Sequence, residues 1–192
     1  MDDGPGLGLG LGGVRLARHG ETDDNVAPMR FQGWTDTPLN DTGRRQAGEL
    51  AERVAGTGIA SLWASDLSRA RETAEIVGRR IGMAPTLDAR LREGARGRWE
   101  GHLMQDIERS EPELYAAWRR AGAAFRFPGG ESLLEHQQRV TEALGEIHAA
   151  GPLPALVVCH GGSIRVMLCA ADPRGLDAFH TFEVPNVAVV PL

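Results

Sequence analysis

The alternation of short apolar runs with longer segments of helical periodicity constrains this chain more than any other feature of its sequence. Mostly apolar runs occur at 14–17, 59–64 and 155–159, and each precedes a stretch whose apolar residues recur every three to four positions. Strands that alternate with helices are typical of an α/β sandwich. We therefore predict a three-layer α/β fold in which helices flank a central, mostly parallel sheet.

Capping residues indicate where the helices begin. One helix is expected from Asn40 or Asp41, a second from the Ser-Asp pair at 65–66, and a third from Ser132. The remaining expected elements are a helix at about 163–170 and short strands at 85–91 and 187–190.

Length and composition suit one globular domain. The chain has 192 residues, of which 42% are apolar and 24% charged, so it is long enough to bury a core. We assign residues 13–192 to this domain. Residues 1–12 are expected to form a flexible tail, because Gly at every second position disfavours a helix. The segment 102–130, interrupted by Pro112 and Gly122, is expected to form a helical lid.

Charge, cysteines and hydropathy argue against several classes of protein. The formal net charge of −5 is opposite to the basic excess of most nucleic-acid-binding proteins. No apolar run is long enough to cross a bilayer, and the start of the chain lacks the pattern of a signal peptide. Cys159 and Cys169 stand in no metal-binding or redox spacing, which predicts reduced core thiols and a cytoplasmic protein.

Two polar motifs stand directly after two of the apolar runs. An Arg-His-Gly motif at 18–20 follows the first run, and a His-Gly-Gly motif at 160–162 follows the run at 155–159. Ligands bind outside the carboxyl ends of parallel strands in open α/β sheets. If both strands are central and parallel, both histidines reach the same crevice.

Together with three further motifs, these residues resemble the histidine phosphatase superfamily, which includes cofactor-dependent phosphoglycerate mutases and many small-molecule phosphatases. The further motifs are Ser-Asp-Leu-Ser-Arg-Ala-Arg at 65–71, Leu-Arg-Glu at 91–93 with Gly-x-Trp-Glu-Gly at 97–101, and Pro-Gly-Gly-Glu-Ser at 128–132. Their order and context match over about residues 14–192. The resemblance implies hydrolysis of a small-molecule phosphate ester through a phosphohistidine, with no metal and no cofactor.

The resemblance also implies roles for single residues. His19 matches the nucleophile, Glu93 the proton donor, and His160 the second histidine, which would be protonated when phosphate is bound. Arg18 and Arg69 match the two arginines that clamp the phosphate, since a guanidinium can bind two oxygens at once. One nitrogen of His19 should donate to a backbone carbonyl, and the carbonyl of Gly20 is the expected acceptor. The substrate-binding residues implied are Arg18, Asn25, Gln32, Gly33, Arg69, His160 and Gly161.

Several of these residues have an ordinary explanation when each is taken alone. Arg69 could form a surface salt bridge, Glu93 could be a solvated loop acid, and His160 could be a core histidine with satisfied hydrogen bonds. No functional role is expected for the other four histidines, and two tryptophans are expected in the core or the lid. These residues are His102, His136, His148, His180, Trp99 and Trp118.

Three functions are weighed from the sequence. A phosphatase is favoured over a mutase because only a compact segment separates Glu93 from Pro128, and because Gly-Ala-Arg at 94–96 departs from the run typical of mutases. A non-catalytic phosphate-binding module usually loses the nucleophile or the acid, and both are present here. The substrate stays open among sugar phosphates, phosphoglycerate derivatives and ribazole phosphate, and a homodimer is an open alternative to a monomer.

Overall fold

A five-stranded sheet between two layers of helices forms the framework of the computed structural model, which describes residues 7–120 and 122–192. The strand order is β3-β2-β4-β1-β5, and only β5 runs antiparallel to its neighbour. This confirms the α/β class and the mostly parallel sheet. The strands are β1 (Val14–Arg18), β2 (Ser61–Ala64), β3 (Thr86–Leu87), β4 (Ala155–Cys159) and β5 (Val189–Pro191).

Six α-helices lie within the described ranges. They are α1 (Asp41–Val54), α2 (Ser68–Ile81), α3 (Met104–Ser110), α4 (Pro112–Arg119), α5 (Leu133–Ala150) and α6 (Gly161–Ala171). Short 3-10 turns at Asp23–Asn25, Ala89–Leu91, Gly97–Trp99 and Gly175–Thr181 connect them.

The alternation of side chains along the strands builds one core on each face of the sheet. Leu16 and Val157 pack with apolar residues of α5 and α6 on one face. Ala17 and Val158 pack with α1 and α2 on the other. Successive residues of a strand point to opposite faces of the sheet. Every residue of β4 is apolar and buried, so this central strand is covered on both faces.

A third apolar cluster, rich in aromatic rings, packs the segment 102–130, expected to form a lid, against the rest of the protein. Phe31, Trp99, Trp118 and Phe127 pack together with residues of α6 and of the turn 175–181. Pro112 does not interrupt a long helix. It occupies the first turn of α4, where its missing N–H has no intrahelical partner to lose.

Capping signals located two helices correctly and one incorrectly. The side chain of Asn40 caps α1, and Ser132 forms a capping box with Glu135 at the start of α5. The helix expected from 65–66 begins instead at Ser68. Ser65 bonds to His160 and Asp66 pairs with an arginine at 92, so tertiary contacts occupy both candidate caps.

The amino-terminal segment is packed where the structure describes it. Leu11 is buried, and Leu7 and Leu9 contact the same core cluster. Residues 7–12 therefore differ from the flexible tail expected over 1–12, because alternate leucines pack apolar surface against the core. Residues 1–6 lie outside the described residues. In the described ranges no helix is long and apolar enough to cross a membrane.

Candidate active site

The parallel pairing of β1 with β4 brings His19 and His160 side by side. The register places Arg18 opposite Cys159, and the amide of His19 donates to the carbonyl of Cys159 at 3.0 Å. The two imidazole rings have centroids 5.2 Å apart and meet edge to face. Both side chains are buried. The convergence expected from the two strand-end motifs is therefore present.

His19 is held in one tautomer. Its Nδ1 lies 2.6 Å from the carbonyl oxygen of Gly20, and because a carbonyl only accepts, Nδ1 carries the proton. Burial lowers the pKa of His19 well below its ordinary value, and the charges of Arg69 and Arg18 lower it further. The ring is thus neutral, with the lone pair on Nε2 free to act as a nucleophile. The expected bond to Gly20 is present.

Gly20 allows this arrangement because helix α1 approaches it closely. A Cβ added at Gly20 would lie 2.3 Å from the carbonyl oxygen of Gly43. The amide of Gly20 donates to Thr73 Oγ1 at 3.1 Å, which ties the turn to α2 as well. The turn after β1 is therefore fixed from two helices, and with it the position of the His19 ring.

Arg18 and Arg69 are both anchored by backbone carbonyls. Arg18 Nη1 donates to Val184 O at 2.6 Å, and Arg69 donates from Nη1 to Thr35 O and from Nη2 to Gly33 O, both at 2.8 Å. The Nε of each arginine is buried and has no hydrogen-bond partner in the described residues. Burial lowers the pKa of Arg18 to about 10, although the charge of Glu93 opposes this. Arg18 is charged at neutral pH.

His160 is neutral in this structure. Burial lowers its pKa well below the ordinary value, and the charge of Arg69 adds to the effect. Its Nε2 lies 2.9 Å from Ser65 Oγ, and its Nδ1 is buried without a partner among the described residues. The protonated form expected with bound phosphate stays a prediction.

Glu93 is a buried carboxylate bound on both oxygens. Oε1 accepts from the amide of Gly94 at 2.8 Å and lies 3.3 Å from Arg96 Nη2, and Oε2 accepts from the amide of Gly162 at 2.9 Å. Burial by itself would raise the pKa of Glu93, but Arg96 and these amides outweigh it and lower the pKa to about 2. A Cβ at Gly162 would lie 2.1 Å from Oε1. Only glycine permits this bond at the start of α6.

Two of the expected substrate-binding residues, Asn25 and Gln32, lie on the loop after β1. Asn25 Oδ1 accepts from the amide of Thr22 at 3.2 Å, and its Nδ2 is buried without a partner in the described part of the chain. Gln32 donates to the hydroxyl of Thr22. Thr22 thus orients both amide side chains.

These groups border a cavity of about 310 Å³. Seven of the predicted site residues line it: Arg18, His19, Asn25, Gln32, Gly33, Glu93 and Gly161. Arg69 and His160 do not line it. Both are fully covered, since Arg69 binds the carbonyls of the 33–35 loop and His160 binds Ser65. The predicted contact of these two side chains with substrate is therefore not present in this structure, because both side chains lie behind the residues that line the cavity.

The family model of the histidine phosphatase superfamily (branch 1) matches residues 14–192, which is most of the chain. The chain belongs to the histidine phosphatase superfamily. The resemblance found in the sequence motifs is thereby confirmed, and relatives that carry phosphatase names support an enzyme that acts on phosphate esters.

Individual relatives agree with this assignment. A glucosyl-3-phosphoglycerate phosphatase of Mycobacterium tuberculosis is 35% identical over 164 residues, which cover 81% of this chain and 73% of the relative. A probable phosphoglycerate mutase GpmB of Erwinia tasmaniensis is 38% identical over 184 residues, 92% of this chain and 82% of the relative. Among solved structures, Bacillus stearothermophilus YhfR has a TM-score of 0.84 and 32% identity, covering 92% of this chain and 88% of that one.

Sequence reasoning missed several residues of this histidine phosphatase site. Arg96 and Arg165 line the cavity, and each stands three residues after a recognised motif, Leu-Arg-Glu at 91–93 and His-Gly-Gly at 160–162. His180, for which no role was expected, and Trp118, which was expected in the core or the lid, also line it. His180 reaches the wall because its Nε2 bonds to Trp118 O at 2.8 Å, a contact with no local sequence signal.

His136 is a second histidine for which no role was expected. Its Nε2 lies 3.1 Å from Ser163 Oγ and 4.0 Å from Glu93 Oε1. Burial lowers the pKa of His136 to about 3, so the ring is neutral. It packs behind the acid without lining the cavity.

Within residues 7–120 and 122–192, no group of three or more His, Cys, Asp or Glu side chains is arranged to hold a metal ion.

Proposed function

We propose that this protein is a metal-independent phosphomonoesterase that hydrolyses a small-molecule phosphate ester through a phosphohistidine on His19. The observation that carries the proposal is a set of buried nitrogens around His19 without partners in the described residues. They are Nε of Arg18, Nε of Arg69, Nδ2 of Asn25 and Nδ1 of His160. An unpaired buried polar group costs about 1–3 kcal/mol, and a phosphoryl group carries oxygen acceptors that match such donors.

In the first half-reaction, Nε2 of neutral His19 attacks the phosphorus. The bond from phosphorus to the ester oxygen breaks, and its electron pair leaves with that oxygen. Glu93 in its protonated form gives the departing oxygen a proton, so the leaving group departs as an alcohol. Arg18 stabilises the charge on the non-bridging oxygens of the phosphoryl group from the cavity wall, and the charge of Arg69 adds to this from behind the wall.

In the second half-reaction, water attacks the phosphohistidine. Glu93, now a carboxylate, accepts the proton of the attacking water, and the electron pair of the phosphorus–nitrogen bond returns to Nε2 of His19. Inorganic phosphate leaves, and Glu93 is again protonated as the first half-reaction requires. One carboxyl group thus serves as acid and then as base.

The ionised state of Glu93 in the free site sets a condition on this cycle. With a pKa of about 2, the carboxyl is deprotonated at neutral pH before substrate binds. A phosphate dianion bound nearby disfavours the carboxylate and raises that pKa. We therefore infer that Glu93 takes up its proton together with substrate.

A phosphoglycerate mutase is the second candidate, because the Erwinia relative carries that name. A mutase must keep water from the phosphohistidine and rebind its intermediate. The short stretch between Glu93 and Pro128 favours hydrolysis, since mutases of this family typically carry a longer insertion there. Sustained mutase turnover primed by 2,3-bisphosphoglycerate would replace the phosphatase proposal.

Hydrolysis of p-nitrophenyl phosphate in EDTA tests the mechanism. We expect turnover by the unchanged protein, a loss of at least about a thousandfold in His19→Ala, and no loss in His102→Ala, where the replaced histidine is exposed and outside the cavity wall. In Glu93→Gln the weakly basic nitrophenolate still leaves but water attack is slow, so phosphohistidine should accumulate. Activity that persists in His19→Ala, or that EDTA abolishes, would contradict the mechanism, and phosphate binding without turnover would identify a binding module.

The cytoplasmic setting and the homodimer stay proposals. Cys159 and Cys169 are free and buried, which accords with a reducing compartment. Cell fractionation tests the first proposal, and sedimentation of the purified protein tests the second.

A further inference from the structure

The acid Glu93 lies on a segment that belongs to no helix or strand of the described structure. Residues 92–96 run between the 3-10 turns at Ala89–Leu91 and Gly97–Trp99. A catalytic group must keep its place closely, because a misplacement of about 1 Å can cost about a hundredfold in rate. The contacts that fix this segment therefore matter to the reaction proposed above.

Arg139 of α5 directs all five of its guanidinium donors at this segment and at one carboxylate. Its Nη1 donates to the carbonyl oxygens of Arg90 and Arg92, both at 2.8 Å. Its Nη2 donates to the carbonyl oxygen of Glu93, also at 2.8 Å. The two remaining donors, on Nε and Nη2, bind the two carboxylate oxygens of Glu131 at 2.7 Å. An arginine has five such donors, so the hydrogen-bonding capacity of Arg139 is filled.

Glu131 holds the same segment on the far side of the acid. Its Oε2 accepts from the amide of Ala95 at 2.8 Å, and its own amide donates to the carbonyl of Ala95 at 3.0 Å. Burial by itself would raise the pKa of Glu131, but its bonds to Arg139 and to Ala95 outweigh this and lower the pKa. Glu131 is therefore a carboxylate at neutral pH.

The approach of these two segments explains a motif to which the proposed function gives no role. Glu131 belongs to the Pro-Gly-Gly-Glu-Ser motif at 128–132. A Cβ added at Gly130 would lie 2.3 Å from the carbonyl oxygen of Ala95. Glycine at this position thus lets the motif lie against the segment that carries the acid.

We propose that Arg139 and Glu131 are positioning residues for Glu93, and that they keep its carboxyl group within reach of the ester oxygen and of the attacking water. The inference rests on the proposed function, because it concerns the acid of that reaction. Neither residue lines the cavity, so both act through Glu93 and not on the substrate. Their bonds fall on both sides of the acid, at residues 90, 92 and 93 and at residue 95.

A role in fold stability alone leads to a different expectation. Loss of stability lowers the amount of folded protein and slows the reaction of every ester in the same proportion. Displacement of the acid slows an ester more when its leaving group is more basic, because such a group depends more on the proton. His19 and Arg18 are held separately, by a carbonyl of β4 and by that of Val184, so attack on phosphorus should persist.

The rates of two aryl esters distinguish these expectations. Release of the alcohol with the protein in excess over the ester measures the first half-reaction alone. We would compare p-nitrophenyl phosphate with phenyl phosphate, which has the same ring and a more basic leaving group. The ratio of the two rates, nitrophenyl over phenyl, should rise about tenfold or more in Arg139→Gln and in Glu93→Gln, since general acid catalysis typically contributes about a hundredfold or more. Arg139→Lys keeps the charge but not the five donors, so the ratio should rise there also.

Two control variants separate position from charge and from stability. Arg90→Gln removes a guanidinium next to the same segment, but this side chain is 38% exposed and pairs with Asp88 and Glu146. Leu50→Ala destabilises the fold from the opposite face of the sheet, where Leu50 is buried. Both variants should leave the ratio unchanged.

A double variant tests whether Arg139 acts through the acid. Glu93→Gln combined with Arg139→Gln should show the same ratio as Glu93→Gln alone, since a positioning residue has no further effect once the acid is gone. A ratio that is unchanged in Arg139→Gln, or that rises further in the double variant, would overturn the positioning role. If Arg139→Gln does not fold, Glu131→Gln decides in the same way, because it weakens the same contacts and keeps one acceptor for Arg139.

The outcomes also separate this inference from the proposed function. Formation of phosphohistidine at a ratio that substitutions of Arg139 and Glu131 do not affect would overturn the positioning role and leave the phosphatase proposal standing. A ratio that is unchanged in Glu93→Gln would remove the acid role of Glu93 and the positioning role with it. No release of alcohol from either ester by the unchanged protein would overturn the proposed function and this inference together.

Discussion

The two sides of the cavity are built in different ways. On one side, His19 and His160 follow the ends of adjacent parallel strands, and backbone hydrogen bonds set their positions. On the other side, Trp118 comes from the last turn of α4 and is held by ring contacts, with Phe31 at 5.0 Å and His180 at 4.9 Å between centroids.

From this difference we infer that the side with His19, here called the strand side, carries out the reaction and that the side with Trp118 sets the preference among substrates. Directional bonds to backbone carbonyls hold the groups on the strand side in one geometry, as phosphoryl transfer requires. Ring packing on the side that contains Trp118, here called the lid side after the predicted lid at 102–130, tolerates exchange of one apolar group for another more readily than a hydrogen-bonded network does. We therefore expect substitutions on the strand side to affect every substrate alike, and substitutions on the lid side to affect substrates unequally.

The largest effect is expected for Arg69→Gln on the strand side. The change removes a charge from behind the phosphoryl site and leaves the carbonyls of Gly33 and Thr35 without their donor. We expect kcat/KM to fall about a thousandfold for every ester, including p-nitrophenyl phosphate. Arg71→Gln is the control, because Arg71 lies on the same helix with its side chain 47% exposed. A loss below tenfold in Arg69→Gln would show that the charge of Arg69 does not stabilise the transferred phosphoryl group.

Trp118→Ala tests the lid side. Removal of this nearly buried ring should destabilise the protein by about 3–5 kcal/mol and raise KM unequally for different esters, because the ring lines the cavity. Leu156→Ala in β4 is the matched comparison, with a similar loss of about 2–5 kcal/mol expected for a buried leucine and no change in KM. Urea unfolding and steady-state kinetics give both quantities. Equal KM values in the two variants would remove the distinction between the two sides.

Glu93 joins the two sides, since it binds the amide of Gly162 on α6 and the guanidinium of Arg96 near the lid. Its pKa is lowered from 4.5 to about 2 in the folded protein. A carboxyl group whose pKa is lowered on folding stabilises the fold at pH values above its pKa in the unfolded chain. This contribution is lost as the pH falls from about 4.5 through about 2.

The pH dependence of unfolding measures that contribution. Between those two pH values the free energy of unfolding should fall by up to roughly 3 kcal/mol more in the unchanged protein than in Glu93→Gln, at about 1.4 kcal/mol per pKa unit. Chemical unfolding at a series of pH values gives both curves. Parallel curves would mean that Glu93 is not held as a buried carboxylate.

Local signals accounted for much of the fold and for part of the site. The caps of α1 and α5 were identified because a cap involves residues close together in the chain. The start of α2 was misplaced because Ser65 bonds to His160, which is 95 positions away. The same limit applies to Arg165, which stands three residues after the His-Gly-Gly motif, because nothing in that motif indicates that this side chain lines the cavity.

The sequence by itself determined the order of strands and helices, the two histidines at strand ends and the family of the chain, because periodicity, caps and motifs depend on neighbours along the chain. Only the tertiary structure decided that Arg69 and His160 lie behind the cavity wall, that Arg96 and Arg165 line the cavity, and that Glu93 is ionised. These properties depend on through-space distances, such as the 2.9 Å between Glu93 and an amide 69 positions away. Burial and charge act across such distances, and no local pattern encodes them.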